Sequence, residues 1–351
     1  MAANIFLEHN MEGRRERAPL GAVSYLLNIS GIIGNVLVLH VFRTRFSRSL
    51  NYRTFVLFLA FVDLFTCIAH IAKELNRMIS VYNQLSDKAP FMCEISHYVG
   101  NSVGVASFFI VMFITFERYR KICTPFKPQI MIKHSRIMCV CTVLISFAIN
   151  FPIYLIHGKR NVVVGGINAT RCSTKNEYDG VMLPFLYHVL IFALVVVCFP
   201  VVVIFQLKIR NALVRKTNSK KKMKNINSNQ KSENPTSVNE KDTGKNVKKD
   251  KSKRKAAADD DEDKRNRRIA ITFAIVSLFL MVSFFTHTLY EFIKSLDKYL
   301  TPRQEISKTE DILEEYLPDI ITINGILNPF VYLFTDAQFK QELMKLCGRG
   351  V

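Results

Sequence analysis

Seven stretches of this chain are almost continuously apolar, near 20–42, 54–76, 95–118, 137–157, 183–207, 269–293 and 315–334. Each is long enough, as a helix, to cross roughly 30 Å of hydrocarbon. Any single run also suits a buried helix of a large soluble core, and the last is the weakest of the set. Together they exclude that reading, because the remainder of the 351 residues holds too little polar sequence to wrap so many apolar helices in water. The expected fold class is therefore an all-α membrane protein: a seven-helix transmembrane bundle followed by a short cytoplasmic amphipathic helix. The first run is read as a mature span, since charges of both signs precede it and it continues to Phe42 without a small-residue cleavage pattern.

Charge orients the bundle. The link after the first run carries Arg43, Arg45, Arg48 and Arg53, and the link after the third carries Arg120, Lys121, Lys127, Lys133 and Arg136, which places both on the cytoplasmic side. Residues 208–268 hold 21 Lys or Arg against 9 Asp or Glu, whereas 297–319 hold 7 acidic against 3 basic residues. The expected organisation is an extracellular tail over 1–19, a seven-helix bundle over 20–334 and an amphipathic helix with the C-terminal tail over 335–351. Within the bundle, 208–268 is a long basic third cytoplasmic loop, expected to be largely disordered with helical ends. The N-terminus lies outside, the C-terminus inside, and the plasma membrane is the expected location. Basic residues beside an anionic inner leaflet need no nucleic acid as partner, and the acidic run Asp259 to Asp263 repels a phosphate backbone.

Of eight cysteines, Cys67, Cys139, Cys141 and Cys198 fall inside spans, and Cys123 and Cys347 are cytoplasmic. Cys93 and Cys172 are the two that the topology places outside, where a bridge is expected, two free thiols being the alternative. The same outer loop carries Asn168-Ala169-Thr170, a permitted glycosylation triplet.

Polar side chains inside apolar spans are costly unless satisfied. Asn35, Asp63, Ser107, Asn324 and Asn328 fall at compatible depths for one shared cluster. A carboxylate among amides and hydroxyls suits either a small monovalent cation such as sodium or a plain packing network. No other metal, cofactor, nucleotide or hydrolytic constellation stands out, so no enzyme is expected.

These features, taken in order, resemble the rhodopsin-like (class A) G-protein-coupled receptors. The family's GN pair matches Gly34-Asn35, its LAxxD matches Leu59 to Asp63, its D/E-R-Y matches Glu117-Arg118-Tyr119, and its NPxxY matches Asn328-Pro329-Phe330-Val331-Tyr332. Its extracellular cysteines match Cys93 and Cys172. The resemblance implies a receptor that activates a heterotrimeric G protein through Arg118 when helix six swings out. Glu117 holds that arginine in the closed state, and Tyr332 moves near the cytoplasmic opening. Arrestin, a receptor kinase and membrane lipids are the further partners it implies. Beyond Tyr332, Phe339, Leu343 and Leu346 mark the lipid-facing side of the amphipathic helix, and Cys347 is either acylated or a free thiol.

Departures from the family pattern are equally specific. The chain has no Trp, so the fourth helix lacks the family's tryptophan near Thr142 or Val143. In the sixth helix Ser283 stands at the toggle tryptophan and Phe285 at the proline, which predicts a straighter, more continuously bonded helix. Gly325 replaces a serine beside the cation site, and Arg265 stands where some members carry an acid that clamps the arginine of helix three.

The amine receptors' Asp is Gly100 here, and no Lys lies between Pro318 and Phe334 to hold retinal. The remaining outer face offers His97, Tyr98, Asn101, Tyr187, His188, Ser283, His287 and Glu291. An acidic loop with Glu305, Glu310, Asp311, Glu314 and Glu315 lies beside it. Such a rim favours an extended peptide, a neuropeptide or peptide hormone, although those acids also serve simply to keep a loop soluble. Two alternatives stay open. One is a nonsignalling scaffold or coreceptor; the other is a channel or transporter, for which no inverted repeat or interrupted helix is seen.

Overall fold

The structure, a computed structural model, describes residues 2–47, 51–79, 90–164, 167–232, 243–301, 312–313, 316–346 and 348. The side chains of Asn168 and Arg265, Cys347 and the acidic residues of the 305–315 loop lie outside the described residues.

Eight α-helices and one hairpin follow in chain order: α1 (Ala2–Thr44), α2 (Asn51–Ile79), α3 (Pro90–Cys123), α4 (Ile132–Ile156), β1 (His157–Val164), β2 (Ile167–Thr174), α5 (Met182–Ser232), α6 (Thr243–Leu300), α7 (Thr322–Thr335) and α8 (Ala337–Leu346). Short 3₁₀ turns at Asn176–Tyr178 and Leu317–Ile321 precede α5 and α7. α1 to α6 are each long and apolar enough to cross a membrane. The seventh crossing is shorter: Asp319–Thr335 reaches that length only together with Ala337–Leu346, which bends away by 96°. The molecule is thus a seven-helix membrane bundle with a helix turned off the end of its seventh crossing.

Burial shows which helix is central. In α3, 61% of the apolar window is enclosed by protein, against 17% in α5, whose outward Leu190, Val197 and Leu207 form part of the lipid-facing surface. Phe108, Ile110 and Ile114 of α3 meet Phe55 and Leu59 of α2 in one continuous core. Backbone groups in lipid have no water to turn to, so helix ends are closed by side chains. Arg53, grouped with the first cytoplasmic link by sequence, instead lies in the first turn of α2 and is buried. Its guanidinium donates to Phe42 O (2.6 Å) and Arg43 O (3.0 Å), capping the C-terminus of α1.

Asp336 joins α7 to α8. Its backbone N–H donates to Tyr332 O (2.9 Å), and its Oδ1 accepts from the N–H groups of Gln338 (3.0 Å) and Phe339 (3.1 Å), an N-cap for α8. Burial raises its carboxyl above the ordinary range, and those two backbone bonds oppose the rise. Phe339 then corrects the expectation of a lipid-facing stripe. It is 2% exposed and lies against Phe42 (5.8 Å) and Tyr332 (6.3 Å), a peg into the bundle that docks α8 on α1.

Two further differences have physical causes. The expected extracellular tail is helical from Ala2, continuous with α1 through Pro19. The third cytoplasmic loop is helical over much of its length, α5 running to Ser232 and α6 starting at Thr243, with 233–242 outside the described residues. Between Lys208 and Ser232 no Pro or Gly interrupts the helix, and lysines on a solvated helix keep good helical propensity without a core. The hairpin went unforeseen. Its register pairs Val164 with Ile167, and Gly165 and Gly166 between them lie outside the described residues. A Val-rich run ended by Gly-Gly is the sequence signal for such a hairpin.

Candidate functional site

At the outer end, Cys172 on β2 is bonded to Cys93 on α3 (Cα–Cα 5.7 Å), so the hairpin is tied over the bundle beside the central helix. Arg160 of β1 forms a two-pronged pair with Asp179 (2.7 and 3.0 Å), anchoring the other strand toward α5. Below lies a narrow cleft walled by Asn101 of α3, Asn150 of α4, Tyr187 and His188 of α5, and His287 and Glu291 of α6. Phe284 and Val105 also line it. Tyr187 Oη donates to Asn150 Oδ1 (2.7 Å), and Asn150 Nδ2 donates to Ser146 O (2.7 Å), fixing that wall. A second narrow cleft shares His188 and Glu291 with the first and continues to Asp179, Lys294, Lys298 and Tyr299. The described part of the rim is mixed in charge, with lysines beside Glu291, while the acidic residues of the 305–315 loop lie outside the described residues.

Not every outer candidate reaches the cleft. Tyr98 turns to α4, donating to Phe147 O (3.0 Å) and packing on Phe147 and Tyr154 (5.5 and 6.0 Å). His97 stacks on His157 under the hairpin (4.6 Å). A Cβ built on Gly100 meets nothing within 4 Å. Ser283 donates back to Phe279 O (2.8 Å), and its neighbour Phe284 lines the cleft and stacks on Phe108 of α3 (4.7 Å). α6 is unbroken through Phe285.

Midway through the bundle, Asp63 is 1% exposed. Ser107 donates to its Oδ1 (2.9 Å) and Asn328 Nδ2 to its Oδ2 (2.6 Å), so α2, α3 and α7 meet at one carboxylate. Asn35 and Asn324 are neighbours of a different kind. Asn35 Nδ2 donates to Gly325 O (2.8 Å), and Asn324 Nδ2 to Ile321 O (3.2 Å). The Oδ1 atoms of both amides are buried without a hydrogen-bond partner. Two orphaned oxygens near a carboxylate form a donor set that fits a small hard cation or a water. Two glycines allow these helices to close. A Cβ on Gly34 would stand 2.7 Å from Pro329, and one on Gly325 would stand 3.3 Å from Asp63 Cβ.

At the end of α3 away from Cys93, Arg118 is 1% exposed. Its Nε donates to Glu117 Oε2 (2.5 Å), and its guanidinium lies 5.5 Å from the Tyr52 ring centre. Its two terminal nitrogens have no hydrogen-bond partner. Tyr119 faces elsewhere, stacked on Phe205 of α5 (4.8 Å). Tyr332 is buried between Phe42 and Phe273, and its hydroxyl lacks a partner. A buried guanidinium with spare donors beside an unsatisfied phenol can receive acceptors from another chain or from a rearranged helix.

Several polar residues escaped sequence reasoning: Asn150, the Lys73–Asp319 ion pair (2.8 Å) that holds the outer end of the seventh crossing to α2, and Gln206, which bonds α3 and α6. A lone amide in an apolar run, as in Val-Ile-Phe-Gln206, is the signal that identifies such residues.

A family model described as 7 transmembrane receptor (rhodopsin family) matches residues 34–332. Opsin-1 of Schistocerca gregaria is 27% identical over 158 residues, which is 44% of this chain and 39% of that protein. The matched region thus spans well under half the length of that curated relative.

Proposed function

Because the chain belongs to the rhodopsin family of seven-transmembrane receptors, we propose that it binds an extended extracellular ligand, a peptide, in the outer double cleft and activates a heterotrimeric G protein at Arg118. Members of this family are receptors rather than enzymes, and G-protein coupling is general among them. One observation carries the reading: two clefts joined at His188 and Glu291 run under a tethered hairpin, at the opposite end of α3 from a buried arginine with unpartnered nitrogens. A ligand spanning both clefts would distribute its contacts over α3, α5 and α6, which suits a chain of residues better than a compact molecule.

The short-loop arginines support an N-terminus outside and a C-terminus inside, with Asn168 carrying the glycan. Sodium is the cation proposed for Asp63, where Ser107, Asn324 and Asn35 would supply neutral oxygens. Arrestin and a receptor kinase are proposed to meet the same cytoplasmic mouth, and acylation of Cys347 to hold α8 at the anionic leaflet. Likeness to an opsin does not bring a retinal site with it, because no Lys lies between Pro318 and Phe334. Ser283 and Phe285 in α6 favour the second reading, a seven-helix coreceptor that does not drive a G protein.

The test is a library of secreted peptides applied to cells expressing the chain, read by calcium and cyclic nucleotide together. A response that Glu291→Gln weakens and Arg118→Ala abolishes, at matched surface amounts, is the expected result. Binding of a peptide with no G-protein response would select the coreceptor.

A further inference from the structure

We propose that Gln206 is a positioning residue that keeps α6 in its closed place through a neutral hydrogen-bond clasp to α3. The proposal rests on the reading of the chain as a receptor whose sixth helix moves. Gln206 Nε2 on α5 donates to Ser277 Oγ on α6 (2.9 Å) and to Thr115 Oγ1 on α3 (3.3 Å). The proton directions are determined by the helices themselves. Thr115 donates its hydroxyl proton to Val111 O (3.0 Å), and Ser277 donates its own to Ala274 O (3.0 Å). Each hydroxyl therefore faces Gln206 with a lone pair, and the amide NH₂ supplies the two protons that both require. Thr115 is 0% and Ser277 1% exposed, so no solvent replaces the amide if it withdraws.

One turn toward the cytoplasm the same face of α3 presents Arg118. Its terminal nitrogens are unpartnered, and among the described residues no acidic group of α6 reaches it. Toward α7, Thr272 donates to Thr335 Oγ1 (2.7 Å), again a bond between hydroxyls. The ion pair of Arg118 thus lies within its own helix, and in this half of the bundle Ser277 and Thr272 tie α6 to its neighbours through uncharged groups. Swinging α6 outward parts Ser277 from Gln206 and leaves both in apolar surroundings, which is how a modest bond becomes a restraint on the closed state.

The experiment uses the full chain in lipid nanodiscs without ligand. Spin labels at Arg136→Cys and Arg267→Cys, both exposed positions on α4 and α6, report the distance across the mouth after replacement of Cys123, Cys141, Cys198 and Cys347 by Ser. Nucleotide exchange is followed in parallel on a panel of purified heterotrimers, one from each Gα class. Gln206→Met retains length and bulk but removes both donors, and is expected to raise the open-to-closed ratio about 5–10-fold. Ser277→Ala should shift it in the same direction, the double variant no further than the larger single, and Ser277→Thr should match the wild type. A merely structural role would lower thermal stability and leave this ratio unmoved. Wild-type distances in Gln206→Met, or a Ser277→Thr indistinguishable from Ser277→Ala, overturn the proposal. Should Gln206→Met not fold, the Ser277 pair decides alone. A shifted distance with no heterotrimer responding upholds the clasp and rejects the G-protein reading.

Discussion

α3 and α6 cross the same core with opposite means. α3 is held to its neighbours by a covalent bond at Cys93 and by a hydroxyl on a buried carboxylate at Ser107, and it pairs its own charges at Glu117 and Arg118. α6 carries no disulfide and no proline. It meets α3 through the stack of Phe284 on Phe108 and, by way of Gln206, through Ser277. Strong, directional ties fix the central helix, and weaker ones hold α6. A bundle built this way can open at α6 without disturbing the site at Asp63.

The largest effect is expected where the comparison is most lopsided. Cys93→Ser or Cys172→Ser removes the covalent tie of α3 to the hairpin, typically worth about 2–5 kcal/mol. Either should abolish most surface receptor, counted by antibody to an N-terminal epitope, and the double variant should be no worse. Near-normal surface amounts would show that α3 needs no covalent anchor.

Phe285→Pro tests the other side. Introducing a proline into unbroken α6 removes one backbone bond and crowds the preceding turn, at a cost of about 3 kcal/mol. The melting temperature of the purified chain should fall accordingly. An unchanged value would mean that α6 is already distorted there, and the contrast in construction would narrow.

How far these properties were legible follows the same division. Seven apolar runs marked the crossings, and Cys93, Asp63 and Arg118 announced themselves because a thiol pair or a charge in a span needs a partner. Phe284, Ser277 and Gln206 did not, since one apolar ring or hydroxyl among many carries no mark of its neighbour. Aligning the chain with the family's motif drew attention to Ser283, whereas the side chain that reaches α3 is the next one along. Tyr98 was mistaken for a cleft residue for a related reason: position along a helix gives its height, and only packing on Phe147 reveals its direction. The helical continuation of α5 to Ser232 runs further than composition alone suggests, because no Pro or Gly interrupts it after Lys208.

A smaller effect is expected at Asp63, the shared anchor of α2, α3 and α7. If a cation joins Ser107 and Asn328 there, replacing choline by sodium chloride should raise the melting temperature by about 3 °C, with each 1 kcal/mol of binding worth a few degrees. Asp63→Asn should lose that increment. An equal sodium response in both proteins would place the ion elsewhere and leave Asp63 as a packing group.

The central claim is that α6 governs opening while Arg118 of α3 governs coupling, and one double variant separates them. Gln206→Met combined with Arg118→Ala is measured by label distance across the mouth and by nucleotide exchange on the heterotrimer that the Gln206→Met single variant activates. The account predicts the open distance of Gln206→Met together with exchange at the level of the heterotrimer alone. Exchange as fast as in Gln206→Met, at that same open distance, would contradict it.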